Sequence, residues 1–331
     1  MIVMLLRVAL CLVLASGPIC ATAAEIAGAP GLESFIDEMQ KRHGFERAQL
    51  EKWFGSVSVR RDVISAMDRP AEALPWHKYR TLFVNADSIA RGVEYYHRHA
   101  SVLSRAEAVY GVAPEFVVAI IGVESRYGRQ DGSHPVLDTL TTLAFHYPRR
   151  ATFFRRELEH FLLMAREEGF DPASVKGSYA GAMGKAQFIA SSYRAYAVDF
   201  DGDRRRDLIG STDDAIGSVA NYLHRHGWRP GGPVASDVRL LNDANVALAG
   251  GGPMPDMTIA EFYGNGVQAV RSGLNAGESA ALHRLDGARA PVYRLGFHNF
   301  YVITRYNRSI NYAMAVYELG NAIRLRIDGG A

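Results

Sequence analysis

From Pro30 to Trp228 the apolar residues of this chain recur at helical spacing, and from Arg229 to Tyr301 they stop doing so. "GLESFIDEMQKRHG" puts Leu32, Phe35, Ile36 and Met39 on one face and halts at Gly44. "SIARGVEYYHRHASVLSRAEAVYG" predicts one long helix ending at Gly111, and further helices are predicted over Pro114–Tyr127, "RRATFFRRELEHFLLMAREEG" and "DDAIGSVANYLHRHGW". After Arg229, Gly and Pro become frequent and short runs take over: "VRLL", "AALHRLDG", "PVYRLGF" and "FYVIT". These predict a small antiparallel sheet, interrupted by a helix at "TIAE", where Thr258 and Glu261 have capping-box spacing. A last helix is predicted from about Ser309, with Ile310, Met314 and Tyr317 on one stripe. The pattern implies a mainly α protein with a small antiparallel β domain (α+β).

The 331 residues are 48% hydrophobic with a formal net charge of +2, which excludes a bundle of membrane spans and a disordered chain. The near-neutral balance argues against a dedicated nucleic-acid binder. Residues 1–23 read as a cleaved export signal: a basic start, the apolar "VALCLVLASG", and "ATA" before the cut. Both cysteines, Cys11 and Cys20, fall inside it, so the mature chain relies on its core rather than on disulfides. "GPIC" lacks the Leu-small-small-Cys pattern of lipid attachment, so soluble export is favoured.

In "FVVAIIGVESRYGRQ", Val117, Ile120, Ile121 and Glu124 share one helical face. A carboxylate there should be desolvated, which disfavours its charged form and suits a proton donor. The alternative is a structural ion pair with an arginine such as Arg126. "GSYAGAMGKAQFIASSY" is a glycine-rich loop leading into a helix with Gln187 and Phe188; it lacks the ending of a phosphate loop. "DFDGDRRRDLIGSTDD" starts like an EF-hand, with Asp199, Asp201 and Asp203 at positions 1, 3 and 5 and the Arg205 carbonyl at position 7. Arg204 stands where glycine is usual, and Gly210 where glutamate is usual. The alternative is a solvated acidic turn capping the helix that follows, from Thr212 or Asp213.

"GVESRYG", "YPRRATFFRREL", "KGSYAGAMGKAQF", "AVDFDGD", "DAIGSVANYL" and "NFYVITRYNRS" occur in that order. Together they resemble the membrane-bound lytic murein transglycosylase B family, glycoside hydrolase family 103, over nearly the whole mature chain. The resemblance implies a lysozyme-like helical core at 111–228, an N-terminal helical domain at 24–110, a β domain at 229–300, and a C-terminal segment at 301–331 returning to the core. It implies non-hydrolytic cleavage of the β-1,4 bond of peptidoglycan glycan strands, leaving 1,6-anhydromuramoyl ends, with Glu124 as acid and then base. Ordinary glycosidases use two carboxylates; the core motifs here offer one. Carried over, Tyr79, Arg149, Arg150, Ser178, Gln187, Tyr222, Tyr306 and Asn307 would bind the glycan, and Asp214 would join Asp199, Asp201, Asp203 and Arg205 around a structural calcium. Ala190 departs from the family's proline. The implied setting is a periplasmic monomer, with cell-wall synthesis or division complexes as partners. The rival readings are a hydrolytic muramidase, a non-catalytic wall-binding protein and a calcium-stabilised helical adaptor.

Overall fold

The computed structural model describes residues 26, 28–68, 74–241 and 243–329. The export signal at 1–23 lies outside the described residues. The N-terminal part consists of α1 (Leu32–His43), α2 (Arg47–Gly55), α3 (Arg61–Met67), α4 (Trp76–Phe83), α5 (Ala86–Arg98) and α6 (Ala100–Tyr110). In α1, Leu32, Phe35, Ile36 and Met39 are buried, and Gly44 ends the helix at a φ of 66°. The long helix expected over 88–110 is instead two helices. His99 leaves helical dihedrals (φ −114°, ψ 23°) between α5 and α6. The two halves dock on different partners, α5 on the C-terminal helix and α6 on the helix starting at Thr212, which one straight rod could not do.

The middle of the chain adds α7 (Pro114–Ser125), α8 (Val136–His146), α9 (Ala151–Glu168), α10 (Ala190–Tyr196) and α11 (Thr212–Arg225). It also holds a two-residue antiparallel ladder, β1 (His134–Pro135) with β2 (Lys176–Gly177), which the helical period concealed. Pro114 opens α7. Of its twelve residues only Glu124 is not fully buried. A helix apolar on every side belongs in the centre of a domain, and each buried Ile or Val there contributes roughly 2 kcal/mol of burial.

The β domain is a five-stranded antiparallel sheet in the order β4-β6-β7-β3-β5, built from β3 (Ala235–Leu240), β4 (Met257–Thr258), β5 (Val267–Ala269), β6 (Ser279–Leu285) and β7 (Val292–Gly296). The Thr258–Glu261 capping box opens α12 (Ile259–Gly264). The "FYVIT" run is not a strand: it lies in α13 (His298–Tyr306), with Phe300, Val302, Ile303 and Thr304 buried. Short apolar runs do not distinguish a strand from a buried helix. Here Asn299 decides: its side chain bonds to Arg229 N–H and to the carbonyls of Arg229 and Gly232. The last helix, α14 (Ile310–Asp328), begins at Ser309, whose hydroxyl caps Tyr312 N–H. Of the expected stripe Met314 is buried, together with Tyr312, Ala315, Val316, Leu319 and Ile323, while Ile310 and Tyr317 are only half-buried. The expected stripe was rotated, because α14 is wedged among α4, α5, α7 and α13.

His283 on β6 is 3% exposed, stacked on Phe300, and its Nε2 has no hydrogen-bond partner among the described residues. Burial pushes its pKa from 6.5 down to about 4. The folded state therefore binds fewer protons than the unfolded state between those values. Stability from this residue is complete above pH 6.5 and falls as the pH drops toward 4. The loss is on the order of 3 kcal/mol. Denaturant melts across pH 4–7 should give a shallower slope for His283→Leu than for the unsubstituted chain; parallel curves would remove this residue from the account.

Candidate active site

Glu124 occupies the last turn of α7. The backbone reverses immediately after it: Arg126 and Tyr127 have φ of 49° and 62°, uncommon for non-glycine residues. The reversal is held by packing. The Tyr127 ring lies against Gly122, where a Cβ would sit 2.7 Å from it, and its hydroxyl donates to Ser88 carbonyl at 2.7 Å. Ser125, fully buried, donates to Lys185 carbonyl at 2.7 Å and accepts from Gly128 N–H at 3.0 Å. Glu124 is thus presented at a fixed helix end, half-buried, rather than on a mobile loop.

Across from it stands a cluster of phenols. Tyr312 donates its hydroxyl to Glu124 Oε1 at 2.6 Å. The Tyr306 ring stacks parallel to Tyr312, with centroids 6.4 Å apart, and Tyr222 lies 4.8 Å from Tyr306. Burial, followed by the negative charge of Glu124, raises the pKa of both Tyr306 and Tyr312 well above 10, so each keeps its proton. The hydroxyls of Tyr306 and Tyr222 donate to the carbonyls of Ala186 and Arg305, both at 2.5 Å. What these two offer a ligand is ring surface; of the three phenols it is Tyr312 that directs its hydroxyl at the carboxylate.

The glycine-rich loop forms the neighbouring wall. It does not run into a helix at Gln187: Met183 pairs with Phe188 in an antiparallel bridge, Gln187 has a φ of 47°, and α10 starts at Ala190. Gln187 Nε2 donates to Asp131 carbonyl at 2.8 Å and Gly184 carbonyl at 2.9 Å. Ser178 Oγ accepts from Ala180 and Ala182 N–H at 3.2 and 3.0 Å. The glycines are needed for close approach. A Cβ on Gly132 would be 2.0 Å from Gly177 C, and one on Gly184 would be 2.3 Å from Leu208 carbonyl.

The acidic loop backs onto that wall. Asp199, Asp201 and Asp203 are exposed, with one carboxylate oxygen each within 4.8 Å of the others. Arg204 takes a φ of 72°, the conformation for which glycine is usual at that position. Asp214, fully buried in the first turn of α11, accepts from the N–H groups of Phe200 (2.7 Å), Asp201 (3.2 Å) and Asp207 (2.7 Å). Desolvation raises its pKa against the opposing pull of those three amides. The helix runs from Thr212, as expected, and Ser211 is its cap. Lys185, next to Gly184, donates Nζ to the carbonyls of Ile209 and Gly210, joining this loop to the glycine-rich wall.

The family model described as "Transglycosylase SLT domain" matches residues 27–321. The chain belongs to the transglycosylase SLT domain family. A curated relative, the membrane-bound lytic murein transglycosylase B of Escherichia coli K12, is 42% identical over 311 residues, covering 91% of this chain and 84% of the relative. The solved structure of the E. coli lytic transglycosylase Slt35 in complex with calcium superposes with a TM-score of 0.84 at 42% identity, covering 94% of this chain and 97% of that one. SltB3 from Pseudomonas aeruginosa in complex with NAG-NAM-pentapeptide gives a TM-score of 0.78 at 34% identity, covering 88% and 79%.

In this transglycosylase SLT domain the remaining expected site residues come from α4, the end of α13 and a 3-10 turn. Tyr79 is 2% exposed on α4, its ring 5.1 Å from Phe83, and it helps to raise the pKa of Tyr312. Asn307 caps the end of α13 and accepts from Ser309 N–H at 3.0 Å. Arg149 and Arg150 are exposed on a 3-10 turn, the first paired with Asp68 at 3.1 Å and the second over the Phe153 ring at 4.4 Å. Neither arginine bonds to the tyrosine cluster. Tyr312 and Ser125 are the residues that sequence reading passed over. Tyr312 lies within the family stretch "NRSINYAMAV", and Ser125 follows Glu124 directly.

Proposed function

We propose that this chain is a lytic transglycosylase of peptidoglycan in which Glu124 alone serves as acid and then as base. The observation that carries this is the bond from Tyr312 hydroxyl to Glu124 Oε1. It fixes the carboxyl at the end of α7 from the protein side. Glu124, protonated, gives its proton to the oxygen leaving C1 of the muramic acid as the C1–O bond breaks. The sugar's own N-acetyl oxygen stabilises C1. The carboxylate then takes the proton of the C6 hydroxyl as that oxygen bonds to C1. Glu124 is thereby protonated again, no water is consumed, and the product is a 1,6-anhydro sugar. Nucleophile and electrophile sit on one ring, so effective molarity replaces a second carboxylate. Tyr312, always protonated, steadies the carboxylate while it waits as base.

Ring surface from Tyr222 and Tyr306, and the polar groups of Ser178, Gln187 and Asn307, form the sugar site in this reading. Tyr79 supports Tyr312, and Arg149 and Arg150 take carboxylates at the rim. The core at 111–228 carries the chemistry, and 24–110, 229–300 and 301–331 enclose it in a periplasmic enzyme. Mass spectrometry of fragments released from purified sacculi tests it. Soluble fragments one water lighter than hydrolytic products are expected; reducing ends would make the chain a muramidase, and no fragments a binding protein.

The acidic loop suits calcium. Three clustered carboxylates and a backbone carbonyl at Arg205 are the hard oxygen donors that ion prefers, and a relative was solved with it. Asp199, Asp201 and Asp203 would be the side-chain ligands. Asp214, whose oxygens already serve three amides, would fix the loop. Calcium should then raise the melting temperature and EDTA reverse it, by about 3 kcal/mol at a hundredfold excess over Kd. Asp203→Asn should abolish the increment; an unchanged increment in that variant would refute these ligands.

A further inference from the structure

A recess opens between α5 and the chain reversal that follows α7. It has two chambers, of about 230 and 70 Å³, which share Arg91, Tyr127 and Arg129 in their walls. Gly122 lines the larger one. It precedes Glu124 by two residues, about 200° around a helix, so the recess lies on a different side of α7 from the Glu124 carboxyl. Its charge is lopsided. Four guanidinium groups, of Arg91, Arg98, Arg126 and Arg129, stand against two carboxylates, of Asp87 and Glu94. Both carboxylates are already bound on their own helix, Asp87 to Arg91 Nε at 2.8 Å and Glu94 to Arg98. Arg126 and Arg129 are exposed and make no side-chain hydrogen bond or ion pair among the described residues. The backbone that carries them is fixed. Arg126 takes a φ of 49°, and Tyr127, which lies between them in the chain, is held by its bond to Ser88 carbonyl at 2.7 Å and by Gly122 against its ring. Cations gathered in a concavity without matching anions concentrate negative ligands there.

The smaller chamber is lined by Tyr95, which is 5% exposed and whose hydroxyl has no hydrogen-bond partner among the described residues. A buried phenol without an acceptor carries a desolvation cost, and a ligand oxygen would relieve it. The recess therefore offers mainly donors, guanidinium forks and a phenol. A carboxylate has two oxygens and fills one fork; several forks around one space suit a group with more oxygens and more charge. The volume is below the roughly 300–1,000 Å³ of sites for drug-sized molecules, so the bound part is small. We propose that this recess binds a phosphate group, with Arg126, Arg129 and Arg91 on its oxygens and the Tyr95 hydroxyl donating to it. The phosphate is that of a soluble ion or monoester, or of a phospholipid headgroup. The site is independent of the glycan-cleaving reading, and no sugar enters its test.

Calorimetry on the full chain at fixed ionic strength tests it, with inorganic phosphate as the probe and acetate as the comparison. Saturable one-site binding of phosphate, and none of acetate, is expected. Arg126→Gln with Arg129→Gln should weaken phosphate binding at least about tenfold, since each removes a charge-assisted contact. Both side chains are exposed, so the melting temperature should hold. Tyr95→Phe keeps the buried ring and should weaken binding about threefold; unchanged affinity would overturn the phenol's part in the site. Arg239→Gln with Arg289→Gln removes the same charge from exposed positions in the β domain and should change nothing. Sedimentation with vesicles of phosphatidylglycerol and phosphatidylcholine separates the two sources. Vesicles that carry down the chain but not the variant without the Arg126 and Arg129 charges, with no heat from inorganic phosphate, would place the phosphate on a lipid. Binding of neither probe, an equal response to acetate, or equal losses from the two arginine pairs would each overturn the proposal.

Discussion

Glu124→Gln should lower fragment release by about 10³–10⁴-fold while leaving the melting temperature within a degree or two of the unsubstituted chain. The size follows from removing a positioned acid and base at once. The unchanged stability follows from the geometry. Tyr312 donates to Oε1, and the amide oxygen of glutamine accepts the same bond, so the Tyr312 hydroxyl is not orphaned. Glu124→Asp should also be slow, by about 10²-fold, because withdrawing the carboxyl by one methylene misplaces it by more than 1 Å. Fragment release by the glutamine variant near the original rate would leave Glu124 a structural residue and send the search to another acid. A collapse in stability would mean that its charge, not its proton, is what the site needs.

Gly132→Ala should be the most damaging substitution outside the reacting groups. Gly132 has a φ of 109°, and a Cβ there would meet Gly177 C at 2.0 Å and Ser178 N at 2.5 Å. Both are backbone atoms, which cannot rotate aside. Overpacking and the left-handed conformation together should cost about 3–5 kcal/mol. Relief requires β1 to part from β2. That would draw the Asp131 carbonyl off Gln187 and displace Ser178. The expected signature is a lower melting temperature with weakened sugar binding. A variant as stable as the parent, binding NAG-NAM normally, would mean the wall is softer than its contacts imply.

Local pattern was enough for much of this molecule. The α1 face, the Gly44 stop, the capping box at Thr258, the switch to β structure after Arg229 and the clustering of Asp199, Asp201 and Asp203 are all short-range facts, and the structure has each of them. They are set by side-chain period, by φ > 0 at glycine and by neighbours within a few residues. Glu124 was conspicuous for the same reason, as an acid on an apolar face.

What failed to show in the sequence depends on partners far along the chain. The break at His99 exists because α5 and α6 dock on different helices. "FYVIT" became a helix because Asn299 anchors to residues some 70 positions earlier. The α14 stripe turned because four helices surround it. Tyr312 is separated from Glu124 by 188 residues, yet their 2.6 Å bond defines the site. Sequence determined which residues are able to do chemistry: a glutamate, phenols, a glycine-rich wall, an acidic loop. Only tertiary packing decided which of them meet, because desolvation and hydrogen-bond geometry are properties of the assembled interior, and no local period encodes a contact between distant segments.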